Sequence, residues 1–192
     1  MAIDIAGFIT YLKDHAVEHG FHVHDERHFI ETYSLRQAWE VDMHPDFACD
    51  GPLDLNVAFD VEPRVVLSLE DQMVEMGNDY EEPEGDYRLP LLFNWALPPL
   101  AAPPELVMLA AELAGIGGME LPIEVSSVES TGALATVAER RLSIVGRREL
   151  SLVDVMMGRE QLCETLERCR AVSEYLIDHT ADWKPIDRPL ND

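Results

Sequence analysis

Residues 53–69, LDLNVAFDVEPRVVLSL, constrain the fold more than any other stretch of this chain. Leu53, Leu55, Val57, Phe59 and Val61 alternate with Asp54, Asn56, Ala58 and Asp60, the period-two pattern of a strand with one dry face. Glu62, Pro63 and Arg64 interrupt the pattern, and Val65, Leu67 and Leu69 resume it. The pattern predicts an antiparallel hairpin in the middle of a sheet.

The segments on either side supply the remaining elements. Ile5, Phe8, Ile9, Leu12 and Ala16 share one face of a helix predicted over 3–19, and Gly20 stops it. Phe21, Val23, Phe29, Ile30 and Tyr33 mark a first strand. Gln37, Trp39, Val41 and Met43 lie on one side of a second, ended by Pro45. Residues 70–86 hold eight acidic side chains and no basic one, which predicts a solvated loop with room for a helical turn in its first third. Leu91, Leu92, Phe93, Trp95 and Leu97 need burial, yet Pro98, Pro99, Pro103 and Pro104 forbid a long regular element. A strand-like piece and an extended connection lying on the core follow.

Pro104 suits the first turn of a helix to about residue 114, capped by Gly115. Residues 123–129 and 133–144 read as a second antiparallel pair turned by Ser130, Thr131 and Gly132, with a further short strand at 150–155. Leu162, Leu166, Cys169, Val172, Ser173 and Leu176 line the buried face of the longest helix, 160–179. The expected class is α+β: an antiparallel sheet of about six or seven strands with three helices, in the order α-β-β-β-β-α-β-β-(β)-α. Residues 1–180 are expected to form one domain, with halves at 1–88 and 104–180 joined by a Pro-rich linker, 89–103, and a flexible tail at 181–192.

Charge narrows the functions open to such a chain. The formal net charge of −23 repels nucleic-acid phosphates and anionic lipid, so neither nucleic acid nor membrane is an expected partner. Asp4 stands where an export signal would carry positive charge, and the prolines break the most apolar run, 91–111. These features predict a soluble, cytoplasmic protein. Cys49, Cys163 and Cys169 form no spacing motif, and their odd number argues against a disulfide framework.

Five of the seven histidines fall between His15 and His28. His15-Ala16-Val17-Glu18-His19 matches H-x-x-E-H and resembles, over those five residues, the motif of inverted zinc peptidases. Histidines four apart on a helix can share a zinc ion, with Glu18 as base on a metal-bound water. His22 and His24, two apart on a strand, point to one side and complete a coordination shell. The motif helix opens the chain with no strand ahead of it, and Glu18 points about a hundred degrees away from His19. A half-buried His19 bonded to a backbone carbonyl accounts for that residue without metal. No cofactor is therefore expected, with zinc as the alternative.

His44, Asp46, Cys49, Asp50 and Asp54 read as a surface turn, because nearby carboxylates suppress the Cys49 thiolate. Arg140, Arg141, Arg147 and Arg148 are expected to pair with the acidic loop or to hold an anion. No G-x-S-x-G, P-loop or C-x-x-C motif is present. The leading expectation is a non-enzymatic, acidic protein-binding adaptor or chaperone-like module. Its partner would be basic or aggregation-prone and held at Phe93, Trp95 and Leu97, with a homodimer as a further expectation. Compact acidic proteins of this layout include secretion chaperones, an analogy of fold alone. The alternatives are a metal-dependent hydrolase built on residues 15–19 and a small-molecule binding domain.

Overall fold

A computed structural model of the chain describes residues 3–49, 51–77, 82–130 and 139–185. The elements run α1 (Ile5–Glu18), β1 (Phe21–Ile30), β2 (Gln37–Pro45), β3 (Asp54–Val61), α2 (Pro63–Met76) and β4 (Arg88–Ala96). They continue α3 (Leu106–Gly117), β5 (Ile123–Ser130), β6 (Glu139–Ser151), α4 (Leu152–Met156) and α5 (Cys163–Thr180). A 3-10 turn, Asp46–Ala48, lies between β2 and β3. The strands form one antiparallel sheet in the order β1-β2-β3-β4-β6-β5. The α+β class is as the sequence predicts, with six strands among the described residues, and with five helices there in place of three.

The alternating stretch is β3, an interior strand. Leu55, Val57, Phe59 and Val61 are buried, as are Trp39, Val41 and Met43 on β2 and Leu89, Leu91, Phe93 and Trp95 on β4. Each such side chain contributes roughly 1.5–3 kcal/mol over the exposed state. Helices pack on this face: Phe8 of α1 meets Phe59, their ring centroids 5.5 Å apart. Ser173 of α5 accepts a hydrogen bond from the Trp95 indole nitrogen at 2.9 Å. The alternate residues, among them Glu40, Asp42, Asn56, Asp60, Asn94 and Arg147, point to the opposite face and are half-buried or exposed.

The second half of the predicted hairpin is a helix. Pro63 sits at the first helical position, where its missing N–H costs nothing, and the Glu62 carboxylate accepts from the Arg64 N–H. Val65, Val66, Leu69 and Met73 pack on the core at helical spacing, so the alternation of Val65, Leu67 and Leu69 misleads. Gly77 ends α2 at φ 58°, a left-handed conformation in which a side chain is strained. The strand that pairs with β3 is instead β4, from the Pro-rich region.

Because β4 pairs with β3 on one side and β6 on the other, both expected halves contribute to the same sheet. The strand β6 runs unbroken to Ser151, whose hydroxyl then accepts from the Asp154 N–H to start α4, in place of the short strand expected at 150–155. Thr131, Gly132 and residues 133–138 of the expected second hairpin lie outside the described residues. Of the expected acidic loop, α2 takes residues 70–76, residues 78–81 lie outside those described, and Glu82 pairs with Arg159. All six residues predicted for the inner face of the long helix are buried.

The expected linker lies against the first residues of the expected tail. The N–H groups of Ala101 and Ala102 donate to the carbonyls of Lys184 and Trp183, each at 3.0 Å, and Trp183 is buried. Residues 186–192 lie outside those described. Among the described residues, no helix is long and apolar enough to cross a membrane.

Candidate metal centre

The β1–β2 hairpin brings histidines together from positions 22 residues apart in sequence. His22 pairs directly with His44 across the ladder, on the sheet face that points away from the helices. A register shift between Val23 and Asp25 displaces His24 from the regular alternation. The His24 ring thereby lies beside both others, its centroid 4.7 Å from that of His22 and 4.2 Å from that of His44. The Nε2 atoms of His24 and His44 are in direct contact.

Backbone bonds carry a thiol to the same place. Gly20 (φ 77°) allows the chain to turn from α1 straight into β1, and its carbonyl accepts from the Asp46 N–H at 3.0 Å. That bond ties the 3-10 turn to the start of β1. Cys49 follows the turn, its Sγ 3.7 Å from His22 Nδ1 and donating to the Asp46 carbonyl at 3.3 Å. One ligand atom each from His22, His44 and Cys49 lie within 4.8 Å of one another. Among the described residues this is the one group of three or more His, Cys, Asp or Glu side chains so arranged.

His44 is buried, whereas His22, His24 and Cys49 are exposed. His44 Nδ1 lies 3.0 Å from the Pro45 carbonyl, which can only accept, so the proton belongs on Nδ1 and Nε2 turns its lone pair toward the other histidines. Such an outer bond orients a metal-binding imidazole. The site borders an ionic network. Arg27 donates to Asp42 at 2.6 and 3.0 Å and to Glu40 at 3.1 Å, and Asn56 donates to Asp42 at 2.8 Å. Burial alone would raise the Asp42 carboxyl. The bonds from Arg27 and Asn56, with the Arg27 charge and a smaller contribution from His24, hold it below its ordinary value.

Of the residues singled out from sequence, His22 and His24 are in this cluster and His15 and His19 are not. The His15 ring packs on Tyr11, centroids 4.0 Å apart, and its buried Nδ1 has no hydrogen-bond partner among the described residues. His19 caps α1, half-buried, and its carbonyl accepts from Arg170 at 3.1 Å. Glu18 is exposed and outside the group. Phe93 and Trp95 lie in the core because β4 is an interior strand, and Leu97, just past its end, is buried too; from 0% to 8% exposed, as folded they present no surface to a partner.

Arg140 pairs with Glu129, Arg147 with Glu149, and Arg148 with Glu120 at 2.6 Å and Glu160 at 3.9 Å. Arg141 stands opposite Val128 of β5. Among the described residues the cations that pair with the acidic segment are Arg159, with Glu82, and Arg88, whose Nε lies 2.8 Å from Asp86.

His44 and Cys49 are the members that sequence reasoning set aside. Regular pairing counted back from Ile30 and Gln37 would set position 22 opposite position 45; the register shift between Val23 and Asp25, which the sequence does not signal, brings His44 opposite His22 instead. Comparison of the chain with protein-family models, curated proteins and solved structures found no match to any of them.

Proposed function

We propose that this protein binds a transition-metal ion, zinc in the first instance, through His22, His24, His44 and Cys49. The observation that supports this reading is the convergence of three imidazoles and a thiol on one corner of the sheet. Three nitrogens and one sulfur form a donor set of the closed, four-ligand kind found in structural zinc sites. The thiolate and imidazoles disfavour the hard cations calcium and magnesium, which take oxygen ligands. The net charge of −23 favours any cation approaching the surface.

The role this donor set suits is structural. An ion held by four side chains would join β1, β2 and the turn after β2, pinning a segment otherwise anchored by the Asp46–Gly20 bond. The test is the zinc content of tag-free protein purified without chelator, repeated for His44→Ala. About one equivalent per chain, lost in the variant, supports the proposal. Absence of metal after dialysis against zinc, or full occupancy in the variant, contradicts it.

A further inference from the structure

A second feature lies toward the other end of the β1–β2 hairpin. The start of α1, the start of α2 and the loop end of the hairpin enclose an apolar groove of about 450 Å³. Ile3, Ile5, Trp39, Val61, Val66 and Leu67 form its walls, and the His28 ring stacks on Trp39 with centroids 3.9 Å apart. The sequence of α2 leaves the groove open. Leu69 is its one fully buried residue, while Leu67 and Val74, seven apart on one outward stripe, are 54% and 81% exposed. Leu35 borders the groove at φ 59°, a conformation uncommon for leucine, and is 65% exposed. Ile30 and Tyr33 nearby in the hairpin are exposed as well. Clustered apolar exposure of this kind marks an interaction surface.

Charge and backbone say what fits there. The ionised side chains in the lining are Asp4 and Glu70, both negative. A second copy of a chain with net charge −23 would bring like charge to them. Among the described strands β1 is terminal, and its outer edge offers main-chain donors and acceptors to an added strand. We infer that the groove docks an extended segment of another protein in which apolar side chains alternate with lysine or arginine. The apolar side chains fill the groove, and the cations meet Asp4 and Glu70. This surface is distinct from the histidine cluster and does not depend on metal.

The test titrates the full chain with two short fluorescein-labelled peptides, one alternating valine with lysine and one alternating serine with lysine, at physiological salt. The valine–lysine peptide should bind at least about tenfold more tightly, the gain from burying one to two apolar side chains. The gap should close in a Leu35→Ser/Leu67→Ser double variant, whose altered side chains are exposed and whose circular dichroism should match the parent. Equal affinity for both peptides would reduce the interaction to charge attraction and overturn the proposal. So would a gap that survives in the double variant. A sedimenting dimer that dissociates in the double variant would make a second copy the occupant and overturn it equally.

Discussion

His22 of β1 stands directly across the ladder from His44 of β2, their ring centroids 5.4 Å apart and their planes 80° to each other. Two imidazoles set by strand register would meet a shared ion already oriented, so its binding would cost little side-chain ordering. Zinc that binds the folded chain alone should raise its unfolding midpoint, by about 2.7 kcal/mol of stability at a hundredfold excess over Kd. His22→Ala should fold as well as the parent in chelator and show no zinc-dependent shift in thermal melts.

The Trp95 indole is buried on β4 and its nitrogen donates to the equally buried Ser173 hydroxyl. Ser173→Ala leaves that N–H without its partner, at a cost of about 1–3 kcal/mol. The midpoint of denaturant unfolding should fall accordingly, with the slope unchanged.

Gly146 on β6 faces the same indole. A Cβ there would stand 2.9 Å from Leu121 Cδ1 and 3.0 Å from two Trp95 ring carbons. Gly146→Ala should therefore destabilise by about 1–3 kcal/mol through overpacking, read from the same unfolding curve.

The helix α2 gives a contrast between two leucines. Leu69 is fully buried, and Leu69→Ala should cost about 2–5 kcal/mol. The outward Leu67→Ser should change stability by no more than about 0.5 kcal/mol. Equal effects in chemical unfolding would mean that α2 docks through a different face.

Acid should weaken the chain partly through Asp42. Its carboxyl is held below the ordinary value against the opposing effect of burial, so the ionised form stabilises the fold above about pH 4, and this is lost as pH falls through the lower folded value. Asp42→Asn should be less stable than the parent at neutral pH. The difference between their melting temperatures should shrink toward acid. A constant difference from neutral to strongly acid pH would assign the effect to packing.

What the sequence disclosed followed the range of the interactions. The alternation at residues 53–61 and the helical face from Leu162 to Leu176 are local, and each matched a buried surface. Residues 65–69 satisfied the strand period and, with Val66 and Met73, the helical one as well; Pro63 and the Glu62 cap decided the matter. His22 and His24 could be singled out as neighbours in sequence. His44 joined them only through strand register, and Cys49 only through the Asp46–Gly20 bond, so neither belongs to a sequence motif. Carboxylates near Cys49 in sequence argued against a reactive thiolate, whereas in space its sulfur lies 3.7 Å from His22 Nδ1.

The absorption spectrum of the cobalt-substituted protein tests the metal centre most directly, because it reports the ligands themselves. The account predicts the intense ligand-field bands of a four-coordinate site together with a thiolate-to-cobalt charge-transfer band. The charge-transfer band should vanish in Cys49→Ser, and both features in His44→Ala. The weak spectrum of hexa-aquo cobalt, unchanged by the protein, would contradict it.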